Sequence, residues 1–308
     1  MKVVLPILIL VLTFLSSDVF SKQVSSKTYY LLGDKYFQRK KYDKAIERYQ
    51  KAISINPKVA GYYYKLAEAY RCKGLYEEAI TYYEKATKLN KRYYSAYANL
   101  GDIFYKKKEN EKAIAYYKIL VDKSPKESEA HFFRGKICEV KGDTDGAINE
   151  YKEATKHNPD YLEALCSIAS SYARMDEFKK AVNYYLKAKK LRPYGEDILV
   201  NLGIAYTELK EFDKALKVLL IALEGNRFNG DARFYLGRAY YGTGKIEQAI
   251  KQTEEALKTN PDSPRIHFSL GLYYDKIGWS DMAAVEYQEA IRLDKDYVKK
   301  QMQEINGK

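Results

Sequence analysis

A 34-residue period runs through this chain without insertion or deletion, and few folds accommodate that. Units start at Ser26, Ala60, Tyr94, Ser128, Leu162, Glu196, Gly230 and Pro264, and the eighth ends at Tyr297. Position 8 is always small: Gly33, Ala67, Gly101, Gly135, Ala169, Gly203, Gly237 and Gly271. Position 20 is alanine each time, from Ala45 to Ala283. Position 11 is aromatic (Tyr36, Tyr70, Phe104, Tyr172, Tyr206, Tyr240, Tyr274) except at Cys138. Apolar or small residues at positions 4, 7, 8 and 11 are spaced i, i+3, i+4, i+7, which is one face of an α-helix. Small residues at 8 and 20 let two helices approach, and aromatics at 4, 11 and 24 fill the remaining space. Such a hairpin buries its stripe only against its neighbours, so stability grows by units and interfaces.

Together with proline at position 32 in five units, as in Asn56-Pro57 and Asn260-Pro261, this pattern resembles the tetratricopeptide repeat over residues 26–297. The resemblance implies an all-α, right-handed α-solenoid of eight helix-turn-helix units: 26–59, 60–93, 94–127, 128–161, 162–195, 196–229, 230–263 and 264–297. Residues 298–308 are expected to form a capping helix, because Val298, Met302 and Ile305 fall at i, i+4, i+7 among Lys299, Lys300, Gln303 and Glu304. No room is left for a catalytic domain. Among the 32 tyrosines, Tyr29, Tyr63, Tyr97, Tyr49, Tyr83, Tyr117, Tyr151 and Tyr185 occupy positions 4 or 24 and are expected in the core. Tyr30, Tyr64, Tyr82, Tyr116 and Tyr184 fall outside that stripe.

Ahead of the repeats, Met1 and Lys2 precede an uncharged apolar run, Val3 to Leu15, then Ser16, Ser17 and Asp18. This is the anatomy of a secretory signal peptide. The run is too short for a bilayer span, which takes about 20 apolar residues. Cleavage after Ser21 puts Val19 at −3, and cleavage after Ser17 is the alternative; neither has the nearby cysteine that a lipid anchor needs. The expected organisation is a signal at 1–21, a linker at 22–25, and an exported chain in the periplasm or envelope of a bacterium, or secreted.

On the first helix of each unit, positions 2, 6, 9 and 13 oppose the apolar stripe, with 5 and 12 on a flank. The family resemblance implies that this side lines a concave groove where a partner peptide or helix lies. The candidates in the first three units are Tyr30, Phe37, Tyr64, Lys65, Arg71, Asn99 and Tyr105. In the later units they are Phe132, Lys136, Arg174, Asn201, Phe234, Arg238, Tyr241 and Phe268. Aromatic and cationic residues mixed with Asp34, Glu68, Asp102, Glu139 and Asp275 suit a protein or peptide segment. The competing reading is that the aromatics at positions 5 and 12 pack on the next unit. The carboxylate clamp by which some family members hold acidic chaperone tails is absent. Around Asn99 its other places hold Tyr64, Glu68, Glu129 and Phe133; around Asn201 they hold Cys166, Ser170, Asp231 and Tyr235. Nor do Asn99 and Asn201, two asparagines at position 6 of non-adjacent units, make an asparagine ladder.

The net charge of +12 favours an acidic partner or an anionic membrane or envelope surface. It is concentrated early: residues 26–127 carry +11 and residues 128–297 carry −2, with Arg39-Lys40-Lys41 and Lys106-Lys107-Lys108 at hairpin turns. Nucleic acid fits the sign but is an unlikely partner for an exported chain. In the fourth unit His131, Arg134 and Cys138 replace large apolar residues, so Arg134 must find a carboxylate or reach water. His131, His157 and His267 show no metal-ligand spacing, and no nucleophile triad, phosphate loop or cofactor motif occurs. Cys138 and Cys166 are expected as buried thiols, with a disulfide between them as the alternative. His157-Asn158-Pro159-Asp160 is a repeat turn, not the His-Pro-Asp of a J domain. No catalysis is expected.

Overall fold

The computed structural model describes residues 25–124 and 126–306. The expected signal and linker residues 22–24 lie outside them. Seventeen helices form and no strand occurs among the described residues, so the chain is all-α. No described helix is long and apolar enough to cross a membrane.

The helices fall into two compact units, which among the described residues are 25–124 and 126–306. The first contains α1 (Ser26–Gln38), α2 (Tyr42–Ile55), α3 (Ala60–Cys72), α4 (Tyr76–Leu89), α5 (Tyr94–Lys106) and α6 (Asn110–Lys123). The second opens with α7 (Glu127–Val140), α8 (Thr144–His157), α9 (Leu162–Arg174), α10 (Phe178–Leu191) and α11 (Glu196–Glu208). It continues through α12 (Phe212–Gly225), α13 (Gly230–Gly242), α14 (Ile246–Leu257), α15 (Pro264–Lys276), α16 (Ser280–Leu293) and α17 (Lys295–Asn306). Within each unit a helix packs on its hairpin partner and on the next helices in sequence.

Every hairpin turns by the same device. The first helix ends in a residue with left-handed backbone at position 15: Gly74, Gly142, Gly244 and Gly278, but Lys40, Lys108, Asp176 and Lys210 in the other four. The N–H of the following residue donates back five residues, as Lys41 to the Tyr36 carbonyl, and that of position 15 donates back three, as Lys40 to Phe37. This is a Schellman closure, and it satisfies two carbonyls that the helix end orphans. A left-handed backbone at a residue with a Cβ costs about 1 kcal/mol. Lys108→Gly is therefore expected to raise the stability of the first unit by about that much, read as a higher urea midpoint.

Between hairpins, an asparagine side chain bends the chain: Asn56, Asn90, Asn158 and Asn226 each accept from the backbone N–H two residues on.

Inside a hairpin, position 8 faces position 24. A Cβ added at Gly33, Gly101, Gly135 or Gly271 would meet the ring of Tyr49, Tyr117, Tyr151 or Tyr287 at 2.4 to 2.6 Å, inside contact distance. Tyr49, Tyr117 and Tyr151 are wholly buried, and the position 20 alanines are buried throughout. With the ring drawn in, each hydroxyl reaches a carboxylate: Tyr49 to Asp34 at 2.7 Å, Tyr117 to Asp102 at 2.6 Å, Tyr151 to Glu139 at 2.8 Å and Tyr287 to Asp275 at 3.0 Å.

The structure corrects the expected core at position 4 and the start of the expected capping helix. Tyr29, Tyr63 and Tyr97 at position 4 are only half-buried, whereas positions 3 and 10 are closed off, as at Tyr62, Ala69, Ala96 and Ile103. A first helix is pressed from two sides, by its own hairpin and by the preceding one, as where Tyr62 stacks on Tyr30 and Tyr273 on Tyr241, so a second face is buried as well. In α1, which no described hairpin precedes, the same positions, Thr28 and Lys35, are exposed. Arg134 is exposed, which satisfies its charge by solvent. The terminal helix begins at Lys295, inside the expected eighth repeat, with Asp294 accepting from the Tyr297 N–H and Val298 buried. All three cysteines are free thiols, and Cys72 is exposed. Burial pushes the Cys166 thiol up to about 11 and that of Cys138 in the same direction.

Candidate partner-binding groove

On the side of α1, α3 and α5 that carries positions 2, 6, 9 and 13, none of those positions is buried. In the first unit this side carries a connected set of rings and charges. Lys65 donates to Glu68 at 2.7 Å and lies over the rings of Phe37 (5.7 Å) and Tyr64 (5.8 Å). Tyr64 donates to Glu68 and accepts from Asn99, both at 3.3 Å, so Asn99 on α5 is tied to Tyr64 on α3. Tyr30 stacks on Tyr62 at 5.1 Å. Arg71 is half-buried beside the buried Tyr83. Tyr105 is exposed at the edge of the set.

The rings at position 5 serve packing. Tyr64 lies against Tyr83 and Tyr93, Phe132 against Tyr151 and Tyr161, and Phe268 against Tyr287 and Tyr297, so position 5 meets positions 24 and 34 repeatedly. Phe132, Phe234 and Phe268 are at most 8% exposed. They form a floor rather than contact points, a correction to their place among the candidate groove residues. Tyr30 and Tyr64 remain half-buried.

In the second unit the candidates gather in two places. Glu139 is nearly buried and receives Arg174 at 2.8 Å, Lys136 at 3.7 Å and the Tyr151 hydroxyl. Farther along, a cavity of about 660 Å³ is bordered by Tyr235, Arg238, Tyr241, Phe268, Tyr273 and Tyr297. Arg238 pairs with Glu208 and lies over Tyr235, while Tyr241 stacks on Tyr273 at 4.6 Å. Tyr235, Tyr273 and Tyr297 were not foreseen. Tyr273 sits on the second buried stripe, and Tyr297 arrives on α17 rather than closing the eighth repeat. Asn201 is exposed apart from these, beside Asp197 and Asp231.

Burial raises the phenol pKa of Tyr30 and Tyr64 to about 12, with the Asp34 and Glu68 carboxylates adding to the effect. The folded chain thus favours the neutral phenol. Its stabilisation is complete below the unfolded value of about 10 and is lost as pH rises from there through about 12. Ultraviolet titration of phenol ionisation is expected to show a late class of tyrosines that ionises only as the helices unfold. A single early transition would contradict this.

Family models described as tetratricopeptide or TPR repeats match residues 33–74, 64–128, 98–161, 162–194, 237–278 and 264–297. The chain belongs to the tetratricopeptide repeat family. A solved structure described as a crystal structure of MamA protein is 27% identical, with a TM-score of 0.50, over 56% of this tetratricopeptide chain and 94% of that one. MamA 41-end from Desulfovibrio magneticus RS-1 is 22% identical, with a TM-score of 0.52, over 55% and 96%. No curated protein matches the chain. Repeats of this family make the chain a protein-interaction scaffold, on a fold that is typically non-catalytic.

Proposed function

We propose that the chain is an exported, non-catalytic scaffold that holds protein or peptide segments along the open side of its first helices, for assembly of a complex in a bacterial cell envelope. The observation that carries this reading is the row of half-buried rings joined to ion pairs on that side: Phe37, Lys65, Glu68 and Tyr64 in the first unit, and Tyr235, Arg238, Glu208 and Tyr241 in the second. An extended or helical segment offers side chains to the spaces between rings and polar groups to the charges. The hydrolytic and transfer chemistries need a positioned nucleophile or base, and the reading assigns none.

A photo-crosslinking amino acid at Tyr64 tests it in the living cell. The control belongs at Lys88, exposed on α4. A discrete protein captured at Tyr64 and not at Lys88 is the expected result. Lipid alone, or equal capture at both, would overturn it.

A second reading has one observation of its own. Arg39, Lys40, Lys41, Lys106 and Lys108 are all exposed at turns of the first unit. Attachment to an anionic surface through them would fall steeply with added salt, whereas groove binding anchored by rings would persist.

A further inference from the structure

We propose that Glu127, His131 and His157 form a binding site for a divalent transition-metal ion of the zinc type. The three come from one hairpin. Glu127 and His131 are i and i+4 in the first turns of α7, hence on one face, and His157 is the last residue of α8. Because the two helices are antiparallel, these ends meet opposite the turn at Lys141–Asp143. One ligand atom from each residue lies within 4.8 Å of the other two. The imidazoles of His131 and His157 are stacked with centroids 5.5 Å apart and planes 11° from parallel. His157 Nδ1 is 3.5 Å from Glu127 Oε2.

The third histidine shows what an ordinary structural histidine looks like at the same repeat position. His267 is buried, with Nδ1 on Glu286 at 2.6 Å and Nε2 on the Pro261 carbonyl at 2.8 Å, so both ring nitrogens are used. His131 keeps the first of these contacts, Nδ1 to Glu150 at 2.7 Å, but its Nε2 has no hydrogen bond among the described residues. That arrangement suits a ligand. A carboxylate on Nδ1 holds the proton there and leaves the Nε2 lone pair free for a metal, as carboxylates behind metal-bound histidines do.

Two imidazoles and a carboxylate favour zinc, copper or nickel over magnesium or calcium, which prefer oxygen alone. Ligand bonds of about 2.0–2.2 Å require the donor atoms to draw closer than they stand. Glu127 and His157 are exposed at helix ends, so side-chain rotation suffices. The adjacent lysines face elsewhere, Lys126 toward Glu129 at 3.7 Å and Lys156 toward Glu153 at 3.1 Å. A fourth position stays open to water or to a group from a partner. Bound there, the ion would tie together the free ends of the hairpin in which His131 and Cys138 stand in place of large apolar residues.

Calorimetric titration of zinc chloride into the full chain, purified without a histidine tag, tests the site. One equivalent is expected to bind, with calcium and magnesium failing to compete. His157→Asn and His131→Asn should each weaken binding roughly 100-fold, and Glu150→Gln roughly 10-fold, the range known for ligands and their outer partners. His267→Asn should leave the affinity unchanged. No saturable uptake by the chain would overturn the proposal, as would an undiminished affinity in His157→Asn, which would place the ion elsewhere. His157 is exposed at a helix end, so that variant decides the matter even if His131→Asn fails to fold.

Discussion

Gly101→Val is expected to destabilise the first unit by about 3 kcal/mol, enough to lower its urea midpoint sharply. The cause is local. A Cβ at Gly101 would stand 2.5 Å from Cε1 of Tyr117, a ring wholly buried and held by its hydroxyl on Asp102. A branched side chain forces that ring out of its place between α5 and α6. Two natural hairpins bound the effect, since Ala67 faces Tyr83 and Ala169 faces Tyr185. There the tyrosine hydroxyl makes no carboxylate contact: Tyr83 lies beside Arg71, and Tyr185 reaches Ser170 at 3.0 Å. A single methyl is thus accommodated by moving the ring, and Gly101→Ala should cost only about 1 kcal/mol. Equal midpoints for Gly101→Val and the unaltered chain would remove the steric account.

Tyr151→Ala should cost more, about 4 kcal/mol, because it empties a fully buried aromatic site and strips a hydrogen bond from a nearly buried carboxylate. The loss should also be confined. Tyr151 packs on Phe132 and its hydroxyl meets Glu139, which Arg174 joins from α9. Hydrogen exchange should therefore accelerate in α7, α8 and α9 and remain slow in α15 and α16. Uniform acceleration across the second unit would mean that it unfolds as one block rather than hairpin by hairpin.

Most of the fold was legible because the period fixes both helices of every hairpin. Seven of the eight first helices begin on the expected residue, and the fourth begins one earlier, at Glu127. The stripe at 4, 7, 8 and 11 captured the face toward the hairpin partner. It missed positions 3 and 10 because contact with the preceding hairpin buries a second face that a single-helix periodicity does not separate. The site was less legible. Tyr30 and Tyr64 are half-buried where position 5 was expected to flank the open side, but whether a flank aromatic is floor or rim depends on ring packing against positions 24 and 34. The histidines looked scattered because they were read along the chain. Reflected about the turn near position 16, position 4 (His131) and position 30 (His157) lie opposite each other, and that mirror relation was the available signal.

Helices that touch only their successors also bear on how the chain comes into being. Within each compact unit, a hairpin has met all its partners once the following 34 or so residues have left the ribosome, because no contact waits for a distant segment. Structure can then accumulate in the order of synthesis, each new hairpin serving as the template for the next. In the same way α17 covers α15 and α16 with Val298 and Met302.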